Sequence, residues 1–168
     1  MIAKKISKAC LVITSMVMLS GVQAEDLPHG WQFDSIAPKQ AKGDAQLVND
    51  VILAQTQAWN AHDIDGFMGY YWNSPDLLVV VDSEQFNGWS QLYQSYINGF
   101  PDRNAMGFLE TPRVQIKLLK PDMAFVLLWW NVYLGAARHK VVGTSTLIVQ
   151  KFAEGWKIIA SHTASAEP

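Results

Sequence analysis

The feature that most constrains this chain is the run of strand-forming sequence between Arg113 and Ser165. Arg113, Gln115 and Lys117 alternate with Val114, Ile116 and Leu118; Ala124 to Leu134 is a long apolar strand; Lys140 to Phe152 returns, and Trp156 to Ser165 closes the set. Pro121-Asp122, Gly135-Ala136 and Ala153-Glu154-Gly155 are turn sequences between them. Connections this short join neighbouring strands antiparallel, so the segment reads as a four-stranded meander. Such a sheet needs cover on at least one face, and the cover must come from the residues upstream.

Upstream, the apolar period changes to that of helices. Leu47, Val48, Val51, Ile52, Ala58 and Trp59 recur at helical spacing over Ala45 to Ala61, with Asp44 as the expected N-cap and Asn49, Asp50, Gln55 and Gln57 turned to water. Asp63 caps a second, shorter helix carrying Ile64, Phe67, Met68, Tyr71 and Trp72, which Ser74-Pro75 ends. Leu77 to Val81 is a short apolar strand. After Asn87-Gly88 a third helix places Trp89, Leu92, Tyr93, Tyr96 and Ile97 on one face and stops at Gly99 and Pro101. Helices clustered early and antiparallel strands clustered late define an α+β domain, with helices on one face of a curved sheet.

Residues 1–24 read as a signal peptide rather than as part of the fold. Lys4, Lys5 and Lys8 precede the apolar run from Ala9 to Leu19, and Val22-Gln23-Ala24 supplies small residues for cleavage. That run falls short of the about 20 residues that cross a bilayer. The expected locations are therefore periplasmic or secreted, with no membrane contact after cleavage. Residues 25–43, with Pro28, Gly30, Pro38 and Gly43, form an irregular lead-in, and 44–168 form one domain. Loss of the three lysines leaves 10 basic against 15 acidic residues, a formal charge of −5, which argues against nucleic acid as a partner. The mature chain has no cysteine, so its stability rests on its core and not on disulfides.

Several short motifs add to this order. They are Trp59-Asn60-Ala61-His62-Asp63-Ile64-Asp65, Phe86-Asn87-Gly88, Met106-Gly107-Phe108-Leu109, Trp130, Gly143-Thr144-Ser145-Thr146-Leu147, and Gly155-Trp156-Lys157-Ile158 with His162-Thr163. Together they span residues 45 to 165, and in this order and spacing the chain resembles the nuclear transport factor 2-like superfamily. Within it, the chain resembles the proteins like the association domain of calcium/calmodulin-dependent kinase II and the ketosteroid-isomerase-like bacterial proteins. The resemblance implies a cystatin-like α+β roll, in which a cone-shaped sheet wraps around the first helix and a pocket opens between helices and sheet. It also implies homodimers formed through the sheet. It implies no single activity, because this fold hosts enzymes, binders and assembly domains alike.

Among residues able to do chemistry, His162 stands first. Strict alternation places Trp156, Ile158, Ala160 and His162 on one face of the last strand, so the imidazole would continue an apolar face and act as a base or ligand contact. A histidine tied to neighbouring backbone is the plainer alternative. Asp82 and Glu110, at strand ends, are the remaining candidates for a proton carrier. Trp59, Tyr71, Tyr93, Trp130, Asn131 and Tyr133, with His162, are the candidate ligand-binding set, because small-molecule pockets join aromatic walls to a few polar groups. Trp129 and Trp130 must face opposite ways, one into the cone and one toward a partner subunit. His29, His62, His139 and His162 show no metal-ligand spacing, and neither a metal nor a cofactor is implied.

Three functions follow as alternatives: an exported homodimer binding a small organic molecule in an aromatic-lined pocket, an isomerase, dehydratase or lyase using His162, Asp82 or Glu110, and a dimerisation module without ligand. The lack of a carboxylate on the long strands ranks binding first.

Overall fold

The structure, a computed structural model, describes residues 41–135 and 139–166. The signal peptide, most of the lead-in and the turn at 136–138 lie outside these residues. Helix α1 (Ala41–Ala61) is followed by α2 (Ile64–Met68), β1 (Leu78–Val81), β2 (Glu84–Asn87), α3 (Trp89–Gly99), α4 (Arg103–Met106), β3 (Phe108–Lys120), β4 (Met123–Leu134), β5 (His139–Phe152) and β6 (Gly155–Ala166). The expected helices and long strands are present, but α2 ends at Met68, so Tyr71 and Trp72 lie beyond it, where the chain pairs with β6 instead. The short β2 and α4, which carry too few residues for a periodic signal, are additions.

Helix α1 buries Val48, Ile52, Gln55 and Trp59 along one stripe at steps of three and four residues. Two expectations are corrected here. Gln55 is buried, not solvated, and donates to the Phe67 carbonyl at 3.4 Å. Asp44 lies inside the first turn rather than before it, and its carboxylate accepts from Lys151 Nζ at 2.8 Å. Asp63 does cap α2, accepting from the Gly66 amide at 2.8 Å.

The far end of α1 is fastened to the start of β3 by side chains from one short motif. Asn60 pairs with both the amide and the carbonyl of Leu109, each at 2.8 Å. Trp59 Nε1 donates to the Met106 carbonyl at 3.2 Å. His62, held at a left-handed φ of 63°, turns the chain between the helices, with its amide on the Trp59 carbonyl at 2.9 Å. Each group satisfies a backbone or indole dipole that would otherwise be buried unpaired.

The six strands form one sheet in the order β2-β1-β6-β5-β4-β3. Neighbours run antiparallel except β1 and β6, which run parallel. Register shifts fall within β3, at Glu110/Arg113 and Leu118/Lys120, and between β5 and β6, opposite Ile159. An extra residue on one strand bends it and sharpens its twist, which curls the sheet around α1.

Candidate ligand site

The bulge at Ile159 decides which side chains of β6 face the cone. Before it, Trp156 and Ile158 point inward and are buried. After it the parity is reversed: Ser161 and Thr163 point inward, and Ala160 and His162 point outward. The expected sharing of one face by Trp156, Ile158, Ala160 and His162 is thus corrected, because alternation holds only without an inserted residue. His162 is exposed on the outer face, opposite Val80 and Thr146.

The inner face carries a line of hydrogen-bonding groups. Trp130 faces inward and lies over Gly143, its cross-strand partner, where any larger residue would collide with the indole. Its Nε1 donates to Ser145 Oγ at 3.1 Å, and Ser145 Oγ pairs with Thr163 Oγ1 at 2.8 Å. One step deeper on β6, Ser161 Oγ is buried and closes no hydrogen bond among the described residues. The Tyr71 hydroxyl lies near enough to Ser161 to feel its dipole without that geometry, and Tyr96 and Gln55 complete its surroundings. Tyr71 is set in place by backbone pairing with β6, since the Trp72 amide donates to the Ile158 carbonyl and the Ile158 amide to the Tyr70 carbonyl, each at 2.9 Å.

Electrostatics at this deep end favour neutral groups. Burial pushes the Tyr71 hydroxyl above the ordinary tyrosine value, against the opposing hydrogen-bonding influence of Ser161, Tyr96 and Gln55. Tyr96 is half-buried as a residue, but its hydroxyl is sunk beside that of Tyr71. Burial first, and then the neighbouring Tyr71 group, raise it well above that value. The buried polar residues among those described are Gln55, Ser74, Ser145 and Ser161, none of them charged.

The cone is filled at depth. Trp59 packs edge-on against Phe67 at 5.2 Å and Phe100 at 5.0 Å, and Tyr96 sits 5.2 Å from Phe67. Toward the other end, the inward-facing Val81, Val114, Trp130 and Thr163 are only half-buried, whereas Val79, Val126, Leu147 and Ile158 on the same face are buried. Leu128 and Ser145, in the same row across the sheet as Val114, Thr163 and Val81, are buried. A separate surface depression of about 410 Å³ lies between the α1–α2 turn and α3–α4, where His62, Asp65, Ile97, Phe100 and Arg103 line it.

Of the expected site residues, Tyr71 and Trp130 face the interior, and Trp59 is buried among the aromatic rings. Tyr93 lies outside, stacked on Trp89 at 4.8 Å and donating to Asp65 at 2.7 Å. That carboxylate holds the Tyr93 proton, so the phenol titrates above its ordinary value. Asn131 and Tyr133 are on the outer face with Glu110, whose carboxylate accepts from Tyr133 at 3.0 Å and from Asn131 at 3.5 Å. Asp82, at a left-handed φ of 54°, accepts from the Ser165 amide and hydroxyl at 2.8 Å and fastens the end of β6. Sequence reasoning missed Gln55, Tyr96, Ser145, Ser161 and Thr163. Serines and threonines on a strand give no periodic signal of their own, and only the bulge turns two of them inward.

The outer face of the sheet carries Phe125, Leu127 and Trp129 on β4 and Ile148 on β5, all half-buried. Trp129 thus faces out, under the Arg113 guanidinium at 4.3 Å from its ring.

No protein-family model and no curated protein matches the chain. Solved structures do. An NTF-2 like protein of unknown function from Shewanella oneidensis MR-1 is 27% identical, with 71% of this chain and 97% of that one covered at a TM-score of 0.66. An NTF2-like protein of unknown function from Pseudomonas putida KT2440 is 16% identical, covering 73% and 87% at 0.61. A nuclear transport factor 2 (NTF2-like) superfamily protein from Salmonella enterica serovar Typhimurium LT2 is also 16% identical, covering 76% and 92% at 0.59. The chain therefore has the α+β, cystatin-like fold of the nuclear transport factor 2-like superfamily.

Proposed function

We propose that this protein is an exported, homodimeric small-molecule-binding domain that takes its ligand into the open end of the cone. The supporting observation is the line of uncharged polar groups on the inner wall, from Trp130, Ser145 and Thr163 to Ser161, Tyr71, Tyr96 and Gln55. Trp130, Ser145 and Thr163 satisfy one another, and Ser161 is the hydroxyl of this line that closes no hydrogen bond among the described residues, a state that costs about 1–3 kcal/mol. Aromatic surfaces with a few converging polar groups are what small-molecule sites require. The isomerase, dehydratase or lyase alternative draws less support, because His162 and Glu110 sit on the outer face and Asp82 is engaged by Ser165.

Dimerisation through the outer sheet face is part of the proposal, since Phe125, Leu127, Trp129 and Ile148 form an apolar surface that no helix among the described residues covers. A dimerisation module without ligand is the second reading, favoured by the ring packing that fills the deep end.

Native mass spectrometry of protein purified from its own host tests these elements together. The expected spectrum is a dimer lacking residues 1–24 and carrying a small-molecule adduct that is absent from Thr163→Trp, whose larger ring fills the mouth. A dimer without adduct supports the second reading, a monomer removes the interface, and retention of residues 1–24 removes export.

A further inference from the structure

We propose that association of two copies through the outer sheet face is released by acid, because His162 stands at the middle of that face and must be uncharged for the copies to meet. This rests on the proposed dimer and assigns its regulation. Two observations carry it.

The first is where the strand register places His162. In the order β2-β1-β6-β5-β4-β3, β6 and β5 are the two middle strands. His162 is exposed on β6, level with Val80, Thr146, Leu127 and Gln115 in one row across the sheet. The next outward row on one side carries Ile148 and Phe125, and that on the other carries Trp129, so the imidazole lies among the apolar side chains of the proposed interface. A second copy seated face to face is related to the first by a twofold axis in the plane between them, and the axis passes through the middle of the shared patch. Residues at the middle therefore meet their own counterparts, and two charged imidazoles would be brought together there. The sheet edges also suit a second copy. β3 carries Arg113, Lys117 and Lys120, with Glu110 held by Tyr133 and Asn131, whereas the opposite edge, from Leu78 to Asn87, carries Asp82 and Glu84 and no lysine or arginine. An axis running along the strands lays the basic edge of each copy over the acidic edge of the other.

The second is the lack of a counter-charge beside the imidazole. Its outward neighbours are Val80 on β1, Thr146 and Ile148 on β5, and Ala160 and Ala164 on β6, none of them titratable. Asp82, two residues beyond Val80, is engaged by the amide and hydroxyl of Ser165. An imidazolium covered by a second copy would lose its water with no carboxylate on its own subunit to replace it, whereas the neutral ring loses far less. Histidine is the side chain that ordinarily gains its charge between pH 8 and 5. The protonated form is the one excluded from the interface, so association is complete above that range and is lost as the pH falls through it. Each dimer that separates takes up as many as two protons.

Sedimentation velocity of the purified mature protein at about pH 7.5 and about pH 5.0 tests this, with far-ultraviolet circular dichroism at each pH to follow the fold. The parent is expected to be dimeric at the upper pH and to show a dissociation constant about tenfold or more higher at the lower, its circular dichroism unchanged. His162→Gln, neutral at both, is expected to hold the dimer at both, and His162→Lys, charged at both, to associate about tenfold or more weakly at both. A parent constant that does not change with pH, a His162→Gln variant that follows the parent's decline, or a His162→Lys dimer as tight as the parent's overturns the switch and leaves the dimer in place. A parent already monomeric at the upper pH overturns the dimer itself.

Discussion

Gly143 is the position where one added carbon should reveal how firmly the inner wall is built. A Cβ there would meet the Trp130 indole, coming within 2.6 Å of Cε2, and would lie 2.5 Å from the Ala164 carbonyl oxygen. The indole can tilt, but the Ala164 carbonyl belongs to the backbone of β6 and cannot move without disturbing the sheet. Overpacking of this kind costs about 1–3 kcal/mol, and relief of glycine's backbone entropy returns about 0.5–1 kcal/mol. The net effect of Gly143→Ala is a loss of about 1–2 kcal/mol, a fall in thermal midpoint of roughly 4–8 °C. Displacement of Trp130 should also break its bond to Ser145 and shift its fluorescence to the red. Gly43→Ala is the control: it sits in α1 with open space around it, so it should stabilise by about 0.5–1 kcal/mol. Thermal unfolding followed by circular dichroism measures both. A Gly143→Ala midpoint within about 1 °C of the parent would refute the close seating of Trp130 on Gly143.

Three further outcomes are expected. Burial favours the neutral phenols of Tyr71 and Tyr96, so their contribution to stability is complete below pH 10.0, their ordinary value, and is lost as the pH climbs through their higher folded values. Urea unfolding between pH 8 and 11 should show a steeper alkaline decline in the parent than in a Tyr71→Phe/Tyr96→Phe variant; equal slopes would contradict it. His162→Gln, an exposed change on the outer face, should alter stability by less than about 0.5 kcal/mol. A midpoint drop of about 5 °C or more would instead assign it to the core. Phe125→Glu should yield a folded monomer by light scattering at micromolar concentration with unchanged circular dichroism, and a persistent dimer would place the interface elsewhere.

The sequence by itself determined the α+β class, the meander and the order of the long elements, because these depend on local signals: a period of two, a period near 3.6, and turn residues between them. It also carried the motif around Trp59, whose residues serve the fold by tying α1 to Met106 and Leu109. What it did not determine was which way the chemistry points. Strict alternation sent His162 into the cone, yet one inserted residue at Ile159 turns it outward and brings Ser161 and Thr163 in. Such a bulge has no local signature in Ile158-Ile159-Ala160; it arises from how β5 and β6 curl together around α1. Gln55 likewise reads as a solvated helix residue until Phe67 of α2 offers its carbonyl. Asp82, Glu110, Asn131 and Tyr133 read as free polar groups until their partners, tens of residues away in the chain for most of them, fold beside them. Periodicity fixes the elements because it is a property of neighbours in sequence. The face a side chain occupies and the partner it finds are properties of neighbours in space, and only the folded sheet supplies those.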